Sequence, residues 1–402
     1  MLEMKRLLVL AAGVLQVPVI QKAKTMGIFV IAIDENPHAV GFKYADKTYV
    51  ADITDEETIL KIAIDEKIDG VIHPCSEVSM HVMGRINDEL GLSGITKEMA
   101  YDATNKSRMR CAFDKNNAPS PKSFCTDNVD IAWEIFNKYF KSEAILKPSR
   151  NSGSRGINKI THNISHESFV TLYNYSFTQS KDNQVLIEQF VEGPEFSVEI
   201  IVWKHEIHIL AVTDKKTTGA PYFVELGHSQ PSLYPENIIR QIQEAAIVGV
   251  QSLRLNNCAC HAEIKYEDGT AYIMEIGARL GGDFISTELT HLSTGIDMVA
   301  AAINVALGIV PNLAPTNKGC GVCIRYICPN PGKLVNISYT QILNNEHIYD
   351  YDIFCNVGDT IPEITSSTSR SGYVIVTEET VLKAITLAEQ IVSEIHFDII
   401  EK

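Results

Sequence analysis

The chain has 402 residues and a formal net charge of −15, with 35 Lys and Arg against 50 Asp and Glu. That length implies roughly two or three domains of about 100–200 residues each. The acidic balance argues against a nucleic-acid partner, which needs a basic stripe to neutralise phosphates. Apolar residues make up 45%, but no run approaches the ~18 apolar residues that span a bilayer, so no membrane partner is expected.

The opening MLEMKRLLVLAAG reads as a first buried strand over Leu7–Leu10 and not as a signal peptide, which points to a cytoplasmic protein. Pro18–Met26 is helical, with Gly27 suited to the position just past a helix end. Phe29–Asp34 is a second strand, Glu56–Lys67 a helix and Gly70–His73 a third strand. This alternation predicts a parallel sheet with helices on its faces. Asp34 stands where a ribose-binding acid would sit, but the first turn, AAGVLQVP, keeps one glycine of GxGxxG. Ordinary strand-to-helix geometry is therefore the better reading of that turn.

From about residue 110 the pattern changes. Trp133–Phe140 is helical, and Ala144–Pro148 and Gly156–Ile160 are strands around a Ser/Gly/Arg loop. Gln184–Phe190 and Phe196–Val202 are strands joined by EGPE. Asn237–Leu253 and Asp297–Leu307 are helices, and Ala259–Tyr266 forms a hairpin with Ala271–Ile276. Strands at Gly321–Ile327 and Tyr373–Val376 and a helix at Val381–Ile395 complete the chain. The nine cysteines read as reduced thiols. In CGVCIRYIC, Cys320 and Cys323 fall on opposite faces of a strand, and no second pair completes a metal site.

Three segments carry chemistry. In ILKPSRNSGSRGINKI, Lys147 ends a strand and the loop Ser149–Gly156 is rich in small residues, so backbone N–H groups can converge on an anion. By itself such a loop reads equally well as a solvated hairpin. In VLIEQFVEGPEFSVEI, Glu188 and Glu195 are acceptor-only groups suited to an adenine amino group and ribose hydroxyls. Alone they read as two acids flanking a turn. The third segment, CHAEIKYEDGTAYIMEIGARLGGD, is the most informative. If Asp268–Gly269–Thr270 forms a three-residue loop, Glu263 lies opposite Glu275. His261, Glu263, Lys265, Glu275, Gly277 and Arg279 then share one face, and Ala262, Ile264, Tyr266, Tyr272, Met274 and Ile276 form the core face. A two-residue loop would split the two acids. Opposed carboxylates repel unless a cation lies between them, and Mg²⁺ takes one or two carboxylates plus phosphate oxygens.

In this order and spacing the three segments resemble the ATP-grasp superfamily. Glu275-Ile-Gly-Ala-Arg-Leu-Gly-Gly and the tail SRSGYVIVTEETVLKAITLAEQI are most similar to the L-amino acid, dipeptide-forming ligases. The resemblance implies an α/β fold with a Rossmann-like parallel-sheet domain over residues 1–103. An ATP-grasp lid subdomain over 104–190, a catalytic subdomain over 191–310 and a C-terminal α+β extension over 311–402 follow.

Carried over by position, Lys106 and Lys147 match the two ATP-phosphate lysines. Ser149, Ser152, Gly153, Ser154 and Gly156 belong to the phosphate lid. Glu188 matches an adenine-contacting acid, Gln189, Phe190 and Val191 the hinge, and Glu195 the ribose acid. Glu263 and Glu275 match ligands for two Mg²⁺ ions, with Mn²⁺ as a substitute, and Arg279 matches an arginine at the γ-phosphate and acyl phosphate. Glu77, Lys215, His228, Gly281, Gly282 and Asp283 are candidates for the substrate pocket. Many members carry Asn two residues after the second metal-binding Glu, where this chain has Gly277, so the second ion loses a side-chain ligand.

The implied reaction joins a small carboxylate to an amine through an acyl phosphate, releasing ADP and phosphate; a homodimer is common among similar enzymes. A carboxylase, a purine-pathway ligase or transformylase, and a nucleotide-binding regulator without turnover are the alternatives.

Overall fold

The computed structural model describes residues 4–151, 156–220, 222–339 and 344–400. The N-terminal region alternates β1 (Arg6–Leu10), α1 (Val17–Thr25), β2 (Phe29–Asp34), β3 (Lys47–Val50), α2 (Glu56–Asp65) and β4 (Gly70–Ile72). Its sheet is wholly parallel in the order β3-β2-β1-β4. Strands β1, β2 and β4 are buried on both faces, which is why they read as continuous apolar runs, whereas the edge strand β3 is mostly exposed. Leu7 and Val9 pack towards α1, while Leu8 and Leu10 join a larger core with Ile59 of α2. Asp34 caps the first turn, accepting from the N–H groups of Ala12 and Asn36, each at 2.8 Å.

Helices α3 (Met80–Leu90), α4 (Lys97–Thr104) and α5 (Lys106–Lys115) lead into an antiparallel sheet. It is built from β5 (Ser123–Thr126), β6 (Glu143–Pro148), β7 (Asn158–Thr161) and β8 (Val185–Gln189), in the order β5-β8-β6-β7. Helices α6 (Val129–Tyr139) and α7 (His166–Thr178) cover this sheet with an aromatic core of their own, centred on Phe136, Phe169 and Tyr173.

The third sheet has eight strands. Strands β9 (Glu195–Trp203), β10 (Glu206–Thr217), β11 (Glu225–Gln230), β12 (Cys258–Glu267), β13 (Thr270–Gly277) and β14 (Gly321–Ile327) are joined by two strands from the C-terminal region. Between and after these lie α8 (Glu236–Ser252), α9 (Thr290–Thr294) and α10 (Met298–Ala306). The C-terminal region contains β15 (Gly332–Tyr339), β16 (Ile348–Ile353), β17 (Thr360–Ile361), β18 (Gly372–Glu378), α11 (Val381–Ser393) and β19 (Ile395–Ile400). The eight-stranded order is β13-β12-β9-β10-β11-β14-β18-β16, antiparallel throughout. The expected boundary near residue 310 therefore falls inside a region whose two sides share one sheet. Among the described residues no helix is long and apolar enough to cross a membrane.

The hairpin of β12 and β13 corrects the expected loop. Glu267 pairs with Thr270, so the loop is the two-residue Asp268–Gly269, with φ of 48° and 83°. Two left-handed residues make the Asp-Gly turn that suits the twist of a hairpin. The register then shifts between Glu263 and Ile264, and Glu263 still pairs with Glu275. A bulge at Met274 absorbs the extra residue, and both Met274 and Glu275 reach the same cavity. Tyr272 and Met274, expected in the core, are replaced there by Ala271 and Ile273.

Candidate active site

Three rows of side chains form the floor of a cavity on one face of the large sheet. Lys215, Glu195 and Lys265 are lateral neighbours across β10, β9 and β12. Ser197, Glu263 and Glu275 form the next row, and Glu199, His261 and Gly277 the third. Period-2 alternation on three adjacent strands is what lines these polar groups up. The four-stranded sheet covers them with Ile145, Lys147, Glu188 and Gln189, and the N-terminal region contributes Glu77. The cavity is about 300 Å³ and open on one side, within the range of small-molecule sites.

Charge is unevenly distributed in this cavity. At one end Glu188 is fully buried between two cations, Arg110 Nε at 2.7 Å and Lys147 Nζ at 2.6 Å. Burial works against the Glu188 charge, but Arg110 and Lys147 hold its carboxyl below the usual range. One acid between two cations leaves that end net positive. Burial also lowers Lys147, with Arg110 and Lys106 adding to the effect. At the other end Lys215 Nζ lies 2.6 Å from Glu195, 3.1 Å from Glu263 and 3.8 Å from Glu225. One cation among three acids leaves this end net negative. Lys215 holds Glu263 well below the carboxylate range, aided by His261.

The third row is rigidly held. His261 Nδ1 donates to Glu199 at 2.6 Å, and Glu199 also accepts from Ser286 Oγ at 2.6 Å. A side-chain carbon at Gly281 would come within 2.6 Å of His261 Nδ1 and 2.9 Å of Glu199, so only glycine lets the chain pass over this pair.

The expected site residues divide clearly. Lys106, Lys147, Glu188, Gln189, Phe190, Val191, Glu195, Lys215, Glu263, Glu275, Arg279 and Glu77 all line the cavity. Both oxygens of Glu188 accept from cations, Oε2 from Arg110 and Oε1 from Lys147. Lys215, expected near substrate, instead joins the acids expected at ribose and metal. Ser149 is fully buried, and its hydroxyl donates to Asn105 Oδ1 at 3.3 Å, away from the cavity. Gly156 packs against Pro148 and Gln179 and does not line the cavity. Ser152, Gly153 and Ser154 lie outside the described residues.

His228 and Asp283 stand apart from the cavity. His228 is buried, with Nε2 3.5 Å from Asp283, and Asp283 receives two bonds from Arg370, at 2.7 and 2.8 Å. Gly281, Gly282 and Asp283 thus shape a loop pinned by the C-terminal region. Asp283 and Phe284 hold φ of 53° and 64°, strained values for side-chain-bearing residues, and the Arg370 clamp keeps them there.

Gly277 has a structural reason. A side-chain carbon there would sit 3.1 Å from Glu77 Oε1 and 3.2 Å from Arg279 Nε. The space an asparagine would use is filled by the Glu77–Arg279 pair, itself 3.1 Å apart. Lys106 Nζ bonds Glu275 at 3.0 Å, and the nearby acids raise it above the usual lysine range despite burial.

Some groups at or behind the cavity wall were not anticipated from the sequence: Arg110 behind Glu188, and Glu225 and Phe223 in the lining. Arg110 was legible in principle, since Lys106 and Arg110 are four apart on one helix face in NKSRMR. Glu225 and Phe223 lie in a stretch without period, and only the pairing of β11 brings them in.

A divalent cation fits this arrangement. Glu263 and Glu275 are directly opposed, line the cavity and need only phosphate oxygens and water to complete a shell. Among the described residues no cluster of three or more His, Cys, Asp or Glu side chains forms a self-sufficient metal site. The protein therefore suits an ion that arrives with its phosphates.

Two family descriptions match the chain, an ATP-grasp domain over residues 140–288 and an L-amino acid ligase C-terminal domain 2 over 325–399. An alanine–anticapsin ligase from Bacillus subtilis is 25% identical over 291 residues, 67% of this chain and 60% of that protein. The chain thus spans about 60% of the length of that relative. Among solved structures, an L-amino acid ligase from Bacillus licheniformis superposes with a TM-score of 0.82 at 18% identity, covering 99% of both chains. A phosphoribosylglycinamide synthetase from Anaerococcus prevotii gives 0.79 at 24% identity, over 99% of this chain and 100% of that one. The chain thus carries an ATP-grasp domain over residues 140–288 and an L-amino acid ligase C-terminal domain 2 over residues 325–399, on a fold shared with the L-amino acid ligase structure.

Proposed function

We propose that the protein is an ATP-dependent carboxylate–amine ligase that makes an amide through an acyl phosphate. The observation that carries this reading is the opposed Glu263–Glu275 pair in a cavity that is net positive at its Lys147 end and net negative at its Lys215 end. The positive end suits phosphate oxygens, and the negative end suits a divalent cation and ribose hydroxyls. The base lies against the apolar wall of Ile145, Phe190, Val191 and Met274.

Glu263 and Glu275 would hold Mg²⁺, as two ions in this reading, and the metal would supply charge neutralisation for the phosphates. Lys147 and Lys106 orient the triphosphate and spread the charge that develops on the transferring phosphoryl group. Arg279 stabilises the same charge from the Glu77 side. The substrate carboxylate oxygen takes the γ-phosphoryl and ADP leaves. The amine nitrogen then attacks the acyl carbon, phosphate departs with its bonding pair, and the nitrogen gives up a proton. Covering the site with the four-stranded sheet keeps water from hydrolysing the acyl phosphate.

Phosphate release from Mg-ATP with a pool of amino acids, dipeptides and small carboxylates tests the reading. Release that needs both a carboxylate and an amine is expected. Release with bicarbonate, or with a phosphoribosyl amine, would move the protein to a carboxylase or purine-type reaction. Glu275→Gln is expected to lower release by about 100-fold or more with the fold intact. Unchanged turnover in that variant would sink the metal assignment.

A further inference from the structure

A second cavity, of about 40 Å³, is walled largely by apolar residues such as Val71, Met83 and Ala302. An apolar hole of that size is ordinarily dry. Three polar side chains change its character, and they reach it from separate elements. His73 stands just past β4, Asn87 on α3 and Arg279 just past β13. Arg279 lines the main cavity as well, so its side chain stands between the two.

Each of the three is bonded on one side and unpartnered on another. His73 Nδ1 donates to Leu10 O at 2.9 Å, which leaves Nε2 as an acceptor. Asn87 Nδ2 donates to Ile95 O at 3.0 Å, which leaves Oδ1 as a second acceptor. Arg279 donates from Nη2 to Glu77 and from Nη1 to Leu280 O, both at 3.1 Å, which leaves the Nε–H as a donor. His73 Nε2, Asn87 Oδ1 and Arg279 Nε are three of the nine buried side-chain atoms without a partner among the described residues. His73 is 2% exposed and Asn87 4%, so bulk solvent does not reach them. Native interiors rarely leave such atoms unpaired. One donor and two acceptors around a space of this size are the complement of a single water molecule, which accepts once and donates twice.

We infer that this cavity holds one structural water joining the Arg279 Nε–H to His73 Nε2 and Asn87 Oδ1, and that His73 and Asn87 thereby act as positioning residues for Arg279. With Nη1 on Leu280 O, Nη2 on Glu77 and Nε on the water, the guanidinium is held along three edges. The inference rests on the ligase reading only for what that rigidity does, which is to keep the charge of Arg279 where the phosphoryl group transfers. One enclosed water donates to a neutral ring and does not restore the solvation lost on burial, so His73 stays depressed.

A crystal structure of the full chain with Mg²⁺ and ADP tests the site. One water about 2.7–3.2 Å from each of the three atoms is expected. An empty cavity, or direct pairing between any two of the three, overturns the inference. His73→Leu offers no acceptor, and in its crystals the water should be lost and the guanidinium displaced from Leu280 O or Glu77. An unmoved Arg279 overturns the positioning role. Asn87→Leu, made in parallel, gives the same reading should His73→Leu fail to fold. In turnover, each leucine variant is expected to lower kcat about tenfold or more with the KM for Mg-ATP unchanged. His73→Gln keeps an acceptor and should retain most of kcat. Unchanged kcat in the leucine variants, or a loss that His73→Gln does not recover, overturns the role. The two ideas fail separately. The water with a fixed Arg279, but no phosphate release in any substrate pool, speaks against the ligase alone, and release without the water speaks against this site alone.

Discussion

The imidazole of His73 is a group whose behaviour is set by its surroundings and not by its type. It is enclosed just past the end of β4, where Nδ1 donates to Leu10 O at 2.9 Å and Nε2 meets no partner among the described residues. Burial, the dominant cause, pushes it down to about 4. The folded value lies below the unfolded one, so the unfolded chain binds the extra proton between the two. Stability from this group is complete above about pH 6.5 and is lost as the pH falls towards 4. The expected loss between about pH 7 and pH 5 is about 2 kcal/mol. Urea midpoints at the two pH values should therefore diverge more for the native protein than for His73→Gln. An equal pH slope in both would show that the ring is hydrated in the folded state. The residue scale also shows what a sequence can hide. Glu188 is a conspicuous acid in VLIEQF, yet Arg110 and Lys147, distant in the chain, occupy both its oxygens.

Elements position the site through turns and registers. The turn between β8 and β9 contains Gly193 at φ 92°, and a side-chain carbon there would meet Tyr266 O at 2.3 Å. The neighbouring Tyr266 N–H bonds Pro194 O at 3.1 Å, tying this turn to β12. Gly193→Ala combines a disfavoured backbone with a clash against backbone, and should cost about 1–3 kcal/mol. A thermal midpoint unchanged by that substitution would mean the turn can relax away from β12. The hairpin of β12 and β13 teaches the complementary lesson. Asp-Gly is the strongest sequence signal for a two-residue loop, and the loop is indeed two residues long. Such a loop alone would part Glu263 from Glu275, and the bulge at Met274 reunites them. The pairing of the acids was expected from a three-residue loop that the hairpin does not have, and the bulge that achieves it instead leaves no periodic trace.

At the scale of the whole molecule, three sheets meet around one cavity. The four-stranded sheet has its own aromatic core, separate from the core that joins the N-terminal sheet to the large one. A unit with an independent core can shift on its neighbours at little cost in buried contacts. ATP binding is therefore expected to slow amide exchange in residues 147–151 and 189–191, leaving β1 and β2 as they are. Exchange that slows equally in β1 and β2 would indicate a global stabilisation and not a local clasp. The C-terminal region is bound in twice, through β14, β16 and β18 in the large sheet and through Arg370 on Asp283.

Local pattern was enough for β1, β2 and β4 of the N-terminal sheet, because strands buried on both faces must be apolar along their whole length, and not for the exposed edge strand β3. It was also enough for Lys147, Glu195, Glu263, Glu275 and Arg279 as cavity groups, since these sit on strands or beside turns whose period places them. Strands β3, β5, β10, β11, β15, β16, β17 and β19 were not foreseen; β3, β15 and β16 are mixed in polarity and partly exposed, so alternation gives no clean signal there. Partners across the cavity were decided by tertiary structure alone. Lys215 reaches three acids from two other strands of the sheet and from the loop end of β11, and Glu77 reaches Arg279 from 202 residues away. Ion pairs at such separations depend on how sheets pack, and packing is a property of the folded chain that no local spacing encodes.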